Sequence, residues 1–129
     1  MAKPDGGDIL VMMKLRTILF LLVLSATPAL FTSSPAQTQM EMNREAAAGF
    51  AQADNQLNEI YEEAMRNLSP ERQLLLRDAQ RAWLKYREAA AKSAGAGFEG
   101  GTMQPYIIST TKTEMTKFRI QQIQNLTKP

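Results

Sequence analysis

Apolar and small side chains recur every three or four residues over residues 38–68, and this spacing predicts a long amphipathic helix. Polar side chains interrupt the predicted buried stripe at Asn43 and Asp54. Polar residues in such a stripe either fix how helices pack or contact a ligand, and the packing role is the commoner one. The other members of the stripe are Met40, Ala47, Phe50, Leu57, Tyr61, Ala64 and Leu68.

The dipeptide Ser69-Pro70 marks the boundary between two predicted helices. Proline disfavours a helical conformation in the residue before it but fits the first turn of a helix, where serine is a good N-cap. We therefore expect a second helix over residues 70–93, running antiparallel to the first after a short turn. Its predicted buried stripe contains Leu76, Ala79, Trp83, Tyr86 and Ala90.

Residues 95–101 carry four glycines and form the predicted connection to a third helix. The segment matches neither a Walker-type phosphate loop nor a dinucleotide fingerprint. A flexible connection is the simpler interpretation, and a ligand-facing loop is the alternative. We name it the glycine loop.

Residues 104–126 predict the third helix, with Pro105 in its first turn. Thr116 and Arg119, followed by Ile120 and Ile123, indicate a second side that contacts another helix. The main predicted buried side consists of Ile108, Thr111, Met115, Phe118, Ile123 and Leu126.

Three amphipathic helices without alternating strand patterns predict an all-α fold, an antiparallel bundle of three main helices. The part of the chain that forms these helices is small and has no cysteine, so its core depends on a few large side chains. The expected core anchors are Phe50, Leu57, Tyr61, Trp83, Tyr86 and Phe118.

Residues 1–36 have the pattern of an export signal: Lys14 and Arg16 precede an apolar run at residues 17–24. Small residues in Ser34-Pro35-Ala36 predict cleavage before Gln37, and Ala29 is a second candidate end. An uncleaved membrane anchor is the alternative, although the run is short for a membrane span. We therefore predict a domain at residues 37–129 that is periplasmic or secreted, with no membrane contact beyond the signal segment.

Composition limits the chemistry. The formal net charge is +2, and Lys3, Lys14 and Arg16 lie in the signal segment, so a nucleic-acid partner is not expected. The chain has no histidine and no cysteine, which removes disulfides, thiolate nucleophiles and the usual zinc ligands. We expect no metal, no cofactor and no catalytic residues. The single carboxylate grouping worth naming for an enzyme is Asp54 with Glu41 or Glu45.

A set of short motifs resembles a known family. In chain order they are Glu41-Met42-Asn43, Ala53-Asp54, Leu57-Asn58, Tyr61, Leu68-Ser69-Pro70, Gln80, Trp83, Tyr86-Arg87, Gly100-Gly101-Thr102, Thr116 and Arg119. Their order and spacing resemble the LprI-like lysozyme inhibitor N-terminal domain family. The resemblance implies a small helical exported bacterial domain and an inhibitory activity against lysozyme.

The chain departs from that family in one respect. Relatives carry cysteines at places that correspond approximately to Glu45, Ala91 and Thr111 of this sequence. The resemblance therefore implies a domain without the family's disulfides, each of which typically stabilises a small exported domain by about 2–4 kcal/mol.

The polar positions shared with the family converge if the helices pack antiparallel. Such packing gives Asp54 a guanidinium partner, Arg87 or Arg119. We predict a structural network, with a ligand or partner site as the alternative. Its expected members are Asn43, Asp54, Asn58, Gln80, Arg87 and Arg119.

The main functional hypothesis is a binding module that inhibits a lysozyme-type muramidase through an acidic or protruding surface. The expected partner surface contains Glu59, Glu62, Glu63, Phe98 and Glu99. The alternative is a non-catalytic structural or assembly protein of the envelope that acts through helix–helix contacts. It would use the stripe of the first helix or a surface around Met40, Met42 and Met65, and the oligomeric state stays open.

Overall fold

The computed structural model describes residues 34–128. It contains three long helices, α1 (Pro35–Asn67), α2 (Pro70–Gly95) and α3 (Gln104–Leu126), and a short 3-10 helix, Ala96–Phe98, follows α2. The described range holds no strand, and the prediction of an all-α bundle of three main helices is confirmed. None of these helices combines the length and the apolarity that crossing a membrane requires.

The first helix begins three residues earlier than its periodicity predicts, because Ser34-Pro35 starts it. The Ser34 hydroxyl accepts a hydrogen bond from the Gln37 backbone N–H, and the Gln37 side chain accepts one from the Ser34 N–H, at 3.3 and 3.1 Å. This reciprocal capping box satisfies two N–H groups that a helix start leaves unpaired. Residues 1–33 of the predicted signal lie outside the described residues, and the predicted cut before Gln37 falls in the first turn of α1.

The turn between α1 and α2 uses the same dipeptide. Ser69 caps α2 through a 3.4 Å bond from the Arg72 N–H, and Pro70 occupies the first turn. The Gln73 side-chain amide donates to the carbonyls of Met65 and Leu68, at 2.8 and 3.0 Å. Because the last carbonyls of a helix have no partner within it, Gln73 ties the end of α1 to α2.

The chain runs up, down and up. Arg72 near the start of α2 donates to the carbonyl of Leu126 at the end of α3, and Asn43 of α1 donates to the carbonyl of Thr102 just before α3. Helices α1 and α3 are therefore parallel and α2 is antiparallel to both. Helix α3 contacts both other helices and contacts α1 more extensively.

The hydrophobic core lies where the ends of α1 and α3 meet the start of α2. Thr116, whose hydroxyl accepts a hydrogen bond, is fully buried nearby. Half-buried apolar side chains, among them Tyr61 and Trp83, pack against the core. The core residues are Leu57, Ala64, Leu68, Leu76, Ile120 and Ile123.

Two predicted core anchors are wrong. Tyr86 is 64% exposed and Phe118 is 61% exposed. Successive helix residues are about 100° apart, so Tyr86 and its neighbour Arg87 cannot both face inward, and Arg87 is the buried one. Phe118 lies two positions from Thr116, roughly on the opposite side of α3.

The other anchors divide by burial. Leu57 is buried, whereas Phe50, Tyr61 and Trp83 are half-buried. Four further stripe members lie at exposed positions, namely Met40 and Ala47 on α1, Ala79 on α2 and Leu126 on α3. The buried residues of α2 are instead Leu76, Gln80, Arg87, Ala91 and Gly95.

A close approach fixes the end of the bundle where α2 ends and α3 begins. A Cβ atom at Gly95 would lie 2.7 Å from Cγ1 of Ile108, so glycine allows α2 to end directly against α3. The turn that follows needs a second glycine, because Gly100 has a φ of 74°. The glycine loop is thus a defined connection with backbone hydrogen bonds, such as the 2.9 Å bond from the Gly101 N–H to the Phe98 carbonyl.

The core predicts a large difference between two leucine truncations. Leu57 is 1% exposed, and Leu57→Ala should lower the free energy of unfolding by about 2–5 kcal/mol because it removes contacts and leaves a cavity. Leu75 is 71% exposed, and Leu75→Ala should change the free energy of unfolding by less than about 0.5 kcal/mol. Urea titration followed by circular dichroism measures both. Equal losses would contradict the position of the core.

Candidate functional site

The guanidinium of Arg87 joins all three helices. Its Nη1 donates to Oδ1 of Asp54 on α1 at 2.6 Å and to Oγ1 of Thr116 on α3 at 3.1 Å. Arg87 is 5% exposed, and the side chain of Asp54 is 35% exposed. A buried charge depends on the geometry of its partners, since removing the close carboxylate of Asp54 leaves the guanidinium poorly compensated.

Two aromatic rings complete the surroundings of Arg87. The centre of its guanidinium lies 5.0 Å from the centroid of the Phe50 ring and 5.1 Å from that of Trp83. Both distances suit cation–π attraction, which is stronger where water is excluded. The Nε atom is buried without a hydrogen-bond partner in the described structure. Aromatic faces therefore take part of the place that water would fill around this guanidinium.

The charge cluster continues towards the surface. Nη2 of Arg87 lies 3.4 Å from Oε1 of Glu88, and Oε2 of Glu88 pairs with Nζ of Lys112 on α3 at 2.5 Å. Lys112 also lies over the Phe50 ring, 5.2 Å from its centroid. We call Asp54, Arg87, Glu88 and Lys112 the Arg87 network. Its charges alternate in sign from Asp54 on α1 through Arg87 and Glu88 on α2 to Lys112 on α3.

Arg119 forms a second polar cluster beside Trp83. Its Nε donates to Oε1 of Gln80 at 2.9 Å, and its Nη1 donates to Oε1 of Gln122 at 3.1 Å. Its guanidinium centre lies 5.7 Å from the Trp83 ring centroid. Burial lowers the pKa of Arg119 from its ordinary value, because desolvation disfavours the charged form. Trp83 thus contacts two cationic groups, Arg87 and Arg119.

The structure does not gather all six predicted network residues. It brings Asp54 to Arg87 and Gln80 to Arg119. Asn43 lies nearer the start of α1. There it donates to the carbonyl of Thr102, the residue after the glycine loop, at 2.8 Å and so holds the end of that loop against α1. Asn58 is exposed, because it follows the buried Leu57 by one position.

Sequence reasoning missed three members of these clusters. Glu88 and Lys112 resemble solvated helix residues, and no motif marks them. Phe50 was assigned to the core, whereas it is half-buried with both Arg87 and Lys112 at its ring. Phe50 and Lys112 are joined by a charge placed on an aromatic face, which periodicity does not reveal.

The predicted partner surface separates into two surfaces at opposite ends of the bundle. Glu59, Glu62 and Glu63 are exposed near the end of α1, and we call them the acidic face. Phe98, which is 44% exposed, and the exposed Glu99 lie in the glycine loop. Asn43 contacts that loop, and Glu62 follows Asn43 by 19 residues, so the surfaces are roughly 28 Å apart along α1.

The clusters offer little for catalysis. Asp54 is engaged by Arg87, and Glu45 and Glu41 precede it by 9 and 13 residues on α1, about 13 and 20 Å along the axis. The carboxylate grouping considered for an enzyme is therefore not formed. Within residues 34–128, no three carboxylates come together as metal ligands, and the chain has neither cysteine nor histidine. The arrangement fixes helices and presents surfaces.

The Arg87 network predicts an unequal response to two neutralised carboxylates. Asp54→Asn keeps the shape but removes the counter-charge of a buried guanidinium, so it should lower the free energy of unfolding by about 1–3 kcal/mol. Glu114→Gln breaks an exposed pair with Lys117 and should cost about 0–0.5 kcal/mol. Denaturant titration gives both values, and near-ultraviolet circular dichroism reports the surroundings of Trp83. Equal effects would show that Asp54 does not anchor Arg87.

Comparison with known proteins places this arrangement in a family. The chain is 29% identical over 104 residues to an uncharacterised protein of Rhizobium meliloti (strain 1021), and the alignment covers 70% of this chain and 75% of the relative. No solved structure matches the chain. A family model described as Lysozyme inhibitor LprI matches residues 32–123, from just before the capping box of α1 to the buried Ile123 of α3. The chain therefore belongs to the LprI lysozyme inhibitor family.

Proposed function

We propose that this protein is an exported, non-catalytic binding module that inhibits a lysozyme-type muramidase. The observation that carries the proposal is the family match over residues 32–123, which spans most of all three helices. The basic and apolar pattern before residue 34 supports export to the periplasm or the exterior, where a muramidase acts. The clusters around Arg87 and Arg119 hold the bundle together and leave the surfaces to meet the partner.

The glycine loop is the first candidate contact. It places the partly exposed Phe98 and the exposed Glu99 at one end of the bundle. Hydrogen bonds hold it: Glu99 N–H to the Ala96 carbonyl at 3.3 Å, Gln104 N–H to the Gly101 carbonyl at 3.3 Å, and the bond from Asn43. A loop ordered before binding loses little conformational entropy on binding, which favours insertion into a cleft.

The acidic face is the second candidate contact. Its three carboxylates are exposed on successive turns of α1. Attraction between such a surface and a cationic muramidase speeds association and weakens as salt is added. The two surfaces lie far apart, so variants can separate a loop inserted into the cleft from an acidic docking face.

The proposal predicts that the full chain slows cell-wall lysis by a muramidase at physiological salt. Phe98→Ala should raise the concentration needed for half inhibition about tenfold or more if the loop enters the cleft, because anchors in pockets contribute most of the binding energy. If the acidic face docks, a triple variant should also raise the concentration needed for half inhibition, and this increase should become smaller as salt is added. The triple variant carries Glu59→Lys, Glu62→Lys and Glu63→Lys. Turbidity of a cell-wall suspension measures inhibition.

A charge-matched control accompanies this experiment. Glu41→Lys, Glu45→Lys and Asp78→Lys change exposed carboxylates outside both surfaces by the same total charge. This variant should inhibit like the parent chain. Undiminished lysis with excess parent protein would overturn the proposal. Inhibition that neither surface variant weakens would reject both contact surfaces.

A different observation favours the alternative of an envelope assembly protein. Of the exposed large apolar side chains on α2 and α3, four lie at grooves between these helices, namely Leu75, Tyr86, Phe118 and Leu126, at 71, 64, 61 and 44% exposure. They line two grooves of about 370 and 440 Å³ between these helices. We call these four side chains the apolar row. The partner that fits this row is a second copy of this chain, which would pair through the same helices.

The first helix is not the contact surface that the alternative expected. Helix α3 covers the buried stripe of α1, and Met42 and Met65 are half-buried. Met40 is the one of the three named methionines that is mainly exposed, at 59%. Pairing through the apolar row therefore replaces pairing through α1 in this alternative.

Self-association gives the alternative its own prediction. Sedimentation velocity over a concentration series should show a dimer of the full chain, and Phe118→Glu should shift it to monomer because a buried carboxylate without a partner is costly. Leu74→Glu is the matched control, since Leu74 is 57% exposed and lies outside both grooves. A concentration-independent monomer would exclude this alternative, as would equal effects of the two substitutions.

A further inference from the structure

We propose that a groove between α2 and α3 binds an amphiphilic anion, a molecule with one carboxylate or phosphate head and an alkyl chain. The groove has a volume of about 730 Å³. Its apolar surface comes from Leu84, Ala89 and Ile108, and its charged surface comes from Glu88 and three lysines, Lys85, Lys92 and Lys112. We call it the lysine groove, and the proposal does not depend on muramidase inhibition.

The size of the groove favours a small molecule over a protein helix. Small-molecule sites are commonly about 300–1,000 Å³ in volume. On α2 the lining extends from Leu84 to Lys92, which is about 12 Å along the helix axis. A protein helix is itself about 10 Å wide and would need a longer contact. An alkyl chain laid along α2 fits this length.

The charge of the groove selects the head group. The lining contains three ammonium groups and one carboxylate, so it carries excess positive charge. Lys85 and Lys92 are exposed and form no ion pair within the part of the chain that the structure describes. Both amines are thus available to an anion, while the apolar lining offers nothing to a fully polar one. Complementarity to both features requires an amphiphile.

The Arg87 network holds one wall of the groove in place. Lys112 is 20% exposed in its side chain, where Glu88 and the Phe50 ring restrain it. Glu88 is also contacted by Arg87. Lys112 on α3 is therefore held in place, whereas Lys85 and Lys92 on α2 are exposed. These three lysines can contact a head group without rearrangement of the core.

Gly95 lies against one apolar residue of the groove. Its missing side chain allows α2 to approach Ile108, which forms part of the apolar lining. The groove is thus a product of how the helices end against each other, and its floor is preformed.

Isothermal titration calorimetry of the full chain tests the proposal, with dodecanoate and dodecyl phosphate below their micelle concentrations. We expect one molecule per chain and an affinity that falls as salt is added. Shortening the alkyl chain should weaken binding by up to about fourfold per methylene. The carboxylate and phosphate arms show which head group is preferred. A neutral dodecyl maltoside should bind at least about tenfold more weakly, and acetate or inorganic phosphate should give no heat of binding.

Charge reversal in the groove provides the matched comparison. Lys85→Glu with Lys92→Glu should weaken dodecanoate binding about tenfold or more, because two attractive rim charges become repulsive. Lys117→Glu with Lys128→Glu makes the same charge change on exposed lysines outside the groove and should change affinity less than about twofold. Far-ultraviolet circular dichroism checks that both variants fold.

Three results would overturn the proposal. The first is equal loss in the two double variants, which would indicate general charge attraction. The second is binding that the groove variant leaves unchanged, which would place the amphiphile elsewhere on the chain. The third is no binding of either dodecyl anion while an acidic peptide binds, which would make the groove a protein-docking surface instead.

Discussion

The bundle depends on how one buried cation, Arg87, is accommodated in a core with few apolar side chains. Its partners come from each helix: Asp54 and Phe50 on α1, Trp83 on α2 and Thr116 on α3. A shift of any helix by one turn would break a 2.6 or 3.1 Å bond and leave the charge unpaired. The interaction therefore specifies one register among several that apolar packing alone would allow, which is the best-attested use of buried polar groups.

This role matters more because the chain has no cysteine and therefore no disulfide. At the three places where the resemblance implies cysteines, Ala91 is fully buried, Thr111 is half-buried and Glu45 is exposed. A disulfide acts mainly on the unfolded chain, whereas the Arg87 contacts act on the folded one and require water to be excluded. The domain is thus stabilised by interactions that are lost together when the bundle opens, which favours cooperative unfolding.

The helices could be predicted from the sequence, but the orientation of α2 and α3 about their own axes could not. Serine–proline dipeptides and a 3-4 spacing define the helices, although Ser34-Pro35 was interpreted as part of a cleavage signal. The predicted orientation is wrong because apolarity favours Tyr86 and Phe118 as inward residues. In the structure the inward residues are Arg87 and Thr116. Polar residues in the stripe of α1 indicated Asp54 and an arginine partner. The extension through Glu88 and Lys112 depends on three-dimensional proximity to Phe50, and no local pattern encodes it.

The capping box at Ser34 couples the stability of α1 to where a signal peptidase would cut. Cleavage after Ala36 would remove the serine and the proline and create an ammonium group at Gln37, beside the positive end of the helix dipole. Cleavage after Ala29 would keep the cap and place the new charge several residues away. The mature helix differs between these two products by one capping interaction and one unfavourable charge, although the remaining sequence is the same. The position of such a cut would therefore determine the stability of the first turn of α1.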